Sequence, residues 1–151
     1  MPNAKMNCFV DTNVLVYATD EANPKKRARA QAWLDALGDR NALVLSPQCV
    51  NEFYHVACRR FPGIARKDVL QVCEMLLAWC TATLDVHTIR RAWSIEKATG
   101  FQWFDCLLLA SAAIARCHIF LSEDLQHERV IEDLRIIDPF KILPDDINSM
   151  N

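Results

Sequence analysis

Short apolar runs of strand length alternate with longer helical stretches along almost the whole chain. The runs are rich in β-branched or aromatic residues and span residues 8–10, 42–45, 83–86, 119–121 and 135–137. The helical stretches repeat apolar residues at three- and four-residue spacing and span residues 24–37, 50–60, 68–80, 88–99 and 103–116. Strands that alternate with such helices are joined by right-handed β-α-β crossovers. The alternation therefore predicts an α/β fold, a three-layer α/β/α sandwich around a mostly parallel sheet of four to five strands.

The composition fits one compact domain. The chain has 151 residues, of which 52% are hydrophobic and only 3 are glycine, and a chain of this length buries roughly 70% of the surface that it exposes when unfolded. We therefore expect a single domain over residues 1–151, with its core at about residues 7–140. No apolar stretch is long enough to span a membrane, and Asp11 interrupts the apolar run that a signal peptide would need. The 7 cysteines include no C-x-x-C pair, which favours reduced thiols and a cytoplasmic location.

Basic residues are distributed unevenly, although the formal net charge is only -2. They cluster in four segments, at residues 25–29, 59–60, 66–67 and 90–91. Each cluster is either a solvated helix face or part of a surface that follows a nucleic-acid backbone. Trp33, Trp93 and Trp103 are likewise either core residues or platforms for unpaired bases. Charge alone therefore does not identify a partner.

Two predicted strands are followed closely by an aspartate. Asp11 follows the run at 8–10, and Asp124 closes the segment that begins with the run at 119–121. Ligands of open parallel sheets bind beyond the carboxyl ends of the strands, so both acids lie at the expected ligand edge. Each has an ordinary alternative, because a short acid at such a position also caps the next helix or turn. Ser122 either orients Asp124 or a bound water, or caps the turn that follows.

Two further acids lie in helices that are otherwise apolar around them. Asp105 is the only charged residue between Phe101 and Ala115. Burying an unpaired carboxylate is costly, so such a residue is normally paired, protonated or bound to a metal. Glu52 lies between the apolar positions Val50 and Phe53, near the start of the helix that follows the second predicted strand. For Asp105, a cap at the start of its helix is the alternative.

Asp11, Glu52, Asp105 and Asp124 are distant in sequence, but an α/β sheet can bring strand ends and early helix positions to one edge. Like charges a few ångströms apart raise each other's pKa and stay ionised together only beside a compensating cation. The four acids offer hard oxygen donors without thiolate or imidazole, a set that suits Mg²⁺ or Mn²⁺. They therefore predict a divalent metal site for phosphoryl chemistry.

Four segments of the chain resemble, in the same order, the motifs of a PIN-domain nuclease. The segments are DTNVLVYA with Asp11, CVNEFYHV with Glu52, FDCLLLASA with Asp105 and FLSEDLQH with Asp124. A stand-alone PIN domain of this size is similar to a VapC-type toxin of a type II toxin–antitoxin system. The resemblance implies that the four acids bind metal and carry catalysis, with Asn13 and Ser122 as supporting polar residues.

The same resemblance implies Mg²⁺- or Mn²⁺-dependent cleavage of RNA, often tRNA or ribosomal RNA. It also implies a homodimer that a VapB-type antitoxin peptide inhibits by lying across the active site. One departure concerns a second metal position, because some relatives carry a further acid about one helical turn after the last aspartate. This chain has His127 there, followed by Glu128. The ordinary interpretation of His127 is a surface residue on a helix.

Three other functions fit part of the pattern. A haloacid-dehalogenase-like phosphatase also places an aspartate after its first strand, but it needs a second one at position 13, where this chain has Asn13. A response-regulator receiver clusters its acids at strand ends, whereas two of the acids here lie on helices. A non-catalytic PIN-like module would bind RNA or a protein partner without metal-dependent hydrolysis.

Overall fold

The computed structural model describes residues 5–149. Within these residues the strands are β1 (Cys8–Val10), β2 (Leu43–Val44), β3 (Ile119–Leu121), β4 (Val130–Ile131) and β5 (Leu134–Ile137). The α-helices are α1 (Thr12–Tyr17), α2 (Pro24–Asp39), α3 (Pro47–Arg60), α4 (Arg66–Leu77), α5 (Val86–Thr99) and α6 (Trp103–Ile114), and a short 3-10 helix spans Pro144–Ser149. The chain thus follows the predicted alternation, and β4 adds a strand that the sequence analysis did not predict.

The strands form one sheet in the order β2-β1-β3-β5-β4. β1 pairs in parallel with β2 and β3, β3 pairs in parallel with β5, and β4 runs antiparallel to β5 at the edge. The predicted α/β fold with a mostly parallel sheet is therefore confirmed. The chain passes from β1 to β2 on one side and later returns to β3 on the other, so the strand order reverses between β1 and β3. Open α/β sheets bind ligands at such a point, beyond the carboxyl ends of the strands.

The two central strands are buried on both faces, which explains why they form unbroken apolar runs in the sequence. Cys8, Phe9 and Val10 are 0% exposed, and every residue of β3 is also buried. Phe9 and Phe120 are register partners on β1 and β3, and their rings stack with centroids 5.4 Å apart. Burial of each phenylalanine contributes about 1.5–3 kcal/mol. Helices pack along this sheet, with α2 against β2 and α6 against β5.

The prediction of a strand at residues 83–86 is wrong. The segment leads into α5, where Asp85 and Thr88 form a capping box. The Asp85 carboxylate accepts a hydrogen bond from the Thr88 backbone N–H at 3.1 Å, and the Thr88 hydroxyl accepts one from the Asp85 N–H at 3.1 Å. The Thr83 carbonyl accepts a hydrogen bond from the Ser111 hydroxyl at 2.7 Å. Side-chain hydrogen bonds therefore satisfy this backbone, and the segment does not pair with a strand.

The helices begin and end largely as the sequence indicates. Pro24 and Pro47 are the first residues of α2 and α3, where proline loses no intrahelical hydrogen bond. Gly100 ends α5 with φ 72°, a left-handed conformation that glycine adopts at little cost. Gly38 was expected behind α2 but lies inside it, because the helix continues to Asp39. None of the described helices is long and apolar enough to cross a membrane.

Candidate metal centre

The acids predicted at strand ends lie where the strand order reverses. Asp11 follows β1, and its backbone N–H donates to the Leu121 carbonyl at the end of β3, 3.0 Å away. Ser122 follows β3 directly, and Asp124 lies two residues further along. The ends of β1 and β3 are therefore adjacent, and both bring polar residues to the same edge of the sheet.

Asp11 is at once a helix cap and a buried acid. Its carboxylate accepts a hydrogen bond from the Thr12 backbone N–H at 2.7 Å, which caps α1. The same carboxylate accepts hydrogen bonds from the Ser122 hydroxyl at 2.8 Å and from the Asn13 amide at 3.2 Å. Only 4% of Asp11 is exposed. The cap that the sequence offered as an alternative is therefore real, and it fixes the orientation of a carboxylate that also interacts with other acids.

Asn13 links the two strand ends. Its amide nitrogen donates to Asp11 at 3.2 Å and to Asp124 at 2.9 Å, and it also lies 3.3 Å from the Ser122 hydroxyl oxygen. Its carbonyl oxygen accepts a hydrogen bond from the Glu123 backbone N–H at 3.5 Å. A side-chain amide supplies two hydrogens to acceptors that would otherwise repel each other. Asn13 therefore holds Asp11 and Asp124 near one another without adding charge.

Glu52 is held by two side chains that the sequence analysis did not single out. Its carboxylate accepts a hydrogen bond from the Thr12 hydroxyl at 2.7 Å and one from the Gln48 amide at 3.2 Å. Gln48 precedes it by four residues on α3, the spacing at which helix side chains meet. The four-residue spacing alone could have identified Gln48 as a hydrogen-bond partner of Glu52. The contact between Thr12 and Glu52 depends on the packing of α1 against α3.

Asp105 has no hydrogen-bond donor within residues 5–149. It is the third residue of α6, whose N-cap is Gln102, so Asp105 does not cap its helix. Its side chain is partly buried. The N-terminal end of a helix stabilises such a charge by about 0.3–1 kcal/mol at exposed positions. A partly buried carboxylate without a donor is an arrangement that a bound cation would stabilise.

Burial and neighbouring acids raise the pKa values of Asp11 and Asp105. The pKa of Asp11 is raised from 3.8 to about 7, first by burial and then by the charges of Asp105 and Asp124, although the hydrogen bond from Ser122 opposes the rise. Burial also raises the pKa of Asp105, and the charges of Asp124 and Glu52 raise it further. Such effects require the charges to lie near one another. The structure thus gathers the four predicted acids into one cluster, hereafter the acid cluster.

The acid cluster suits a divalent cation in its chemistry and its charge. Its carboxylate oxygens are the donors that Mg²⁺ and Mn²⁺ prefer. Burial, and then the charges of Asp105 and Asp124, raise the pKa of Asp11, and a nearby cation would favour its ionised form. In the part of the chain that the structure describes, no three or more His, Cys, Asp or Glu side chains lie close enough together to hold a metal ion as they stand. The acids are gathered at one edge of the sheet, and Asn13 donates to two of them.

The sequence profile of the PIN domain matches residues 8–133 of this chain. The chain belongs to the PIN domain family. The resemblance carried by the four motifs is thereby confirmed, and PIN domains are typically nucleases.

This PIN domain is similar in structure to a chain of VapBC2 from Rickettsia felis. VapBC2 was crystallised bound to a DNA fragment from the VapBC2 promoter. The TM-score is 0.62 at 13% sequence identity, and the match covers 87% of this chain and 97% of that chain. At this identity the likeness shows a shared fold. No curated protein matches the sequence.

A lysine is fixed at the rim of the PIN domain's acid cluster. Lys26 on α2 forms an ion pair with Glu123, the residue before Asp124. Its ammonium group lies 4.6 Å from the centroid of the Tyr17 ring and 4.9 Å from that of Phe140. The hydrogen bond to Glu123 is the main cause of the raised pKa of Lys26. The ion pair therefore ties α2 to the loop that carries Asp124.

His127 lies in a turn of the PIN domain, so the expected helical position is wrong. Its Nδ1 accepts a hydrogen bond from the Asp138 backbone N–H at 3.0 Å, which joins the loop after β3 to the end of β5. Asp138 is a buried strand-end acid that the sequence analysis missed. Its carboxylate accepts a hydrogen bond from the Phe140 N–H at 2.9 Å and so stabilises a turn. His127 therefore positions the loop after β3 through its Nδ1.

Proposed function

We propose that this PIN domain is a Mg²⁺- or Mn²⁺-dependent endoribonuclease that hydrolyses phosphodiester bonds of RNA. The observation that carries the proposal is the acid cluster, in which the pKa of Asp11 rises to about 7. Asp105 adds a carboxylate that lacks a hydrogen-bond donor among the described residues. Such a cluster needs added positive charge if all its members are to be ionised at neutral pH. Family membership supports the reaction class.

The acids divide into direct ligands and one positioning group. Asp11, Asp105 and Asp124 would hold one or two ions, and Glu52 would bind through water or position the attacking water. The bound ion would lower the pKa of a water and neutralise charge that develops on the phosphate. In-line attack on the phosphodiester leaves a 5′-phosphate and a 3′-hydroxyl and does not use the 2′-hydroxyl.

Neutral hydrogen-bond donors keep the acids in orientation. Thr12 and Gln48 each donate to one oxygen of Glu52. Ser122 and Asn13 donate to the strand-end acids. Because these four donors carry no charge, they orient the carboxylates and leave their negative charge for the cation.

We propose further that the chain is a single domain over residues 1–151 and the toxin of a toxin–antitoxin pair in the cytoplasm. Its substrate would be tRNA or ribosomal RNA, and a VapB-type antitoxin would lie across the acid cluster. The order of the four motifs supports this role, as does the fold shared with a chain of the VapBC2 complex. A small neighbouring gene that encodes a DNA-binding head would support the toxin role, and its absence would favour a house-keeping ribonuclease.

A homodimer through α5 completes the proposal. Val86, Ile89 and Trp93 are 58%, 37% and 58% exposed, and their spacing places them on one face of the helix. An exposed apolar stripe of this kind marks a protein–protein contact. Trp93→Glu should therefore convert a dimer into a monomer in sedimentation velocity. A wild-type monomer, or a variant that stays dimeric, would contradict the pairing.

The decisive test is metal-dependent cleavage by matched variants. Asp11→Asn and Asp105→Asn should each cut total RNA at least about 100-fold more slowly than wild type, because each removes a charge that holds the ion. Asp39→Asn, an exposed acid at the end of α2, is the control and should cut at the wild-type rate. EDTA should stop cleavage by wild type. Undiminished cutting by a folded Asp11→Asn or Asp105→Asn would defeat the assignment, and RNA binding by wild type without hydrolysis would favour the non-catalytic module.

A further inference from the structure

A groove that carries positive charge lies between α3, the following loop and the start of α4. Its volume is about 460 Å³, within the range of pockets that bind small ligands. The side chains that matter for its chemistry are those of Tyr54, His55, Arg59, Ile64 and Arg66. No aspartate or glutamate is among the described residues that line it. We call it the α3–α4 groove.

The α3–α4 groove continues the helix face that carries Glu52. His55 and Arg59 follow Glu52 by three and seven residues on α3, and side chains at this spacing lie above one another on one side of a helix. The rise of the helix places Arg59 about 10 Å along the axis from Glu52. If the scissile phosphate of an RNA strand lies at the acid cluster, the neighbouring nucleotides of the same strand would extend far enough to reach Arg59.

The two arginines of the groove have no carboxylate partner within residues 5–149. Arg59 is exposed, and its Nη1 lies 3.2 Å from His55 Nε2, so most of its donors face solvent. By contrast, the adjacent Arg60 is paired with the buried Asp20 at 3.0 Å. An unpaired guanidinium with free donors is suited to bind a phosphate group.

An aromatic platform lies next to these charges. The guanidinium of Arg66 lies over the Tyr54 ring, 5.6 Å from its centroid, and the partly exposed Ile64 borders the same space. Unpaired bases stack on aromatic rings and on arginine planes, whereas the bases of a duplex are not free to do so. The combination favours single-stranded RNA over an acidic peptide, which would use the charges but not the platform.

We propose that the α3–α4 groove binds a single-stranded RNA nucleotide next to the cut site, with its phosphate on Arg59 and its base on the Tyr54–Arg66 platform. The inference rests on the proposed ribonuclease function for the position of the cut. It adds a subsite that would select for unpaired RNA around the cleaved bond. Binding at this subsite involves no bond-making step and can be measured without cleavage.

Fluorescence anisotropy with a short, labelled, single-stranded oligoribonucleotide of mixed sequence tests the subsite, in an Asp11→Asn background that blocks cutting. Arg59→Gln and Arg66→Gln should each weaken binding by about fivefold or more. The slope of log affinity against log salt should become shallower by about 0.7 for each lost phosphate contact. Arg40→Gln is the matched control, because Arg40 is exposed and lies before the amino end of β2, away from the carboxyl ends of the strands. It should bind like the Asp11→Asn parent.

Lysine variants separate charge from stacking. Arg59→Lys should recover the affinity and the salt slope, because a phosphate accepts either cation. Arg66→Lys should keep the slope of the parent but not its affinity, because Arg66 contacts the base and an ammonium group does not stack on a base. Arg59 is exposed on the last turn of α3, so Arg59→Gln carries the test if Arg66→Gln fails to fold.

Three results would overturn the subsite. The first is equal binding by Arg59→Gln, Arg66→Gln and the Arg40→Gln control. The second is a duplex of the same sequence that binds as tightly and responds in the same way. The third is an oligoglutamate peptide that binds more tightly than the RNA and is lost in the same variants, which would assign the groove to an acidic protein segment. If the wild-type chain never cuts RNA, the proposed function fails, while the anisotropy data still decide whether the groove binds RNA.

Discussion

The burial of Asp11 should make the fold less stable as the pH rises. Its pKa in the folded chain is about 7, against an ordinary value of 3.8. Between these values the folded chain holds more protons at this site than the unfolded chain does, so the free energy of unfolding falls with increasing pH. The loss amounts to at most about 4 kcal/mol between about pH 4 and pH 7. For a domain of this size, that corresponds to a fall in Tm of roughly 10 °C.

Asp11→Asn is the reference for this measurement, because it keeps the size of the side chain and removes the titrating group. Thermal melts in EDTA at about pH 5 and about pH 8 give the difference in Tm between wild type and variant, in which the other titrating groups cancel. Wild type should lose several degrees relative to the variant at the higher pH. Mg²⁺ at 100 times its Kd should then stabilise wild type by about 2.7 kcal/mol and the variant by much less. The reasoning would be refuted if wild type and Asp11→Asn differed in Tm by the same amount at both pH values. It would also be refuted if wild type became more stable relative to the variant at the higher pH.

Three substitutions test the remaining contacts of the acid cluster. Asp105→Asn should melt at a higher temperature than wild type in EDTA, because burial and neighbouring charges disfavour the ionised acid, and it should lose most of the rise in Tm that Mg²⁺ produces. A lower Tm would show that the charge stabilises the fold. Thr12→Val should reduce kcat about 10- to 100-fold in an RNA cleavage assay, because Glu52 loses the hydroxyl that orients it. Thr12→Ser should restore most of the rate, and an unchanged kcat in Thr12→Val would exclude this role. Ser122→Ala should weaken Mg²⁺ binding about 10- to 100-fold by calorimetry, because Asp11 loses its 2.8 Å hydrogen bond. Wild-type affinity in that variant would mean that Ser122 does not orient a ligand.

The sequence predicts the centre of the fold well because the central strands are buried on both faces. The unbroken apolar runs at Cys8–Val10 and Ile119–Leu121 identify β1 and β3 without any knowledge of pairing. An acid that directly follows such a run must lie near the ligand edge of a parallel sheet. Asp11 could therefore be selected from local sequence alone, whereas Ser122 and Glu123 separate Asp124 from β3.

Features that depend on contacts between distant elements could not be predicted in this way. The run at residues 83–86 has strand-forming residues, but the capping box of Asp85 and Thr88 satisfies its backbone. The hydroxyl of Thr12 reaches Glu52 only after α1 has packed on α3. His127 was assigned to a helix because its contact with the end of β5 is invisible in the sequence. The roles of the acids in metal binding stay a prediction.

The central claim is that acids distant in sequence bind the same divalent ion or ion pair. Crystals soaked in Mn²⁺ would test it directly, because the anomalous signal of manganese locates the ion independently of the protein density. The account predicts a peak at the carboxyl edge of β1 and β3, within about 2.0–2.3 Å of an Asp11 oxygen, with Asp105 or Asp124 also in contact. A peak that avoids Asp11 and Asp105, or no peak at millimolar Mn²⁺, would contradict it.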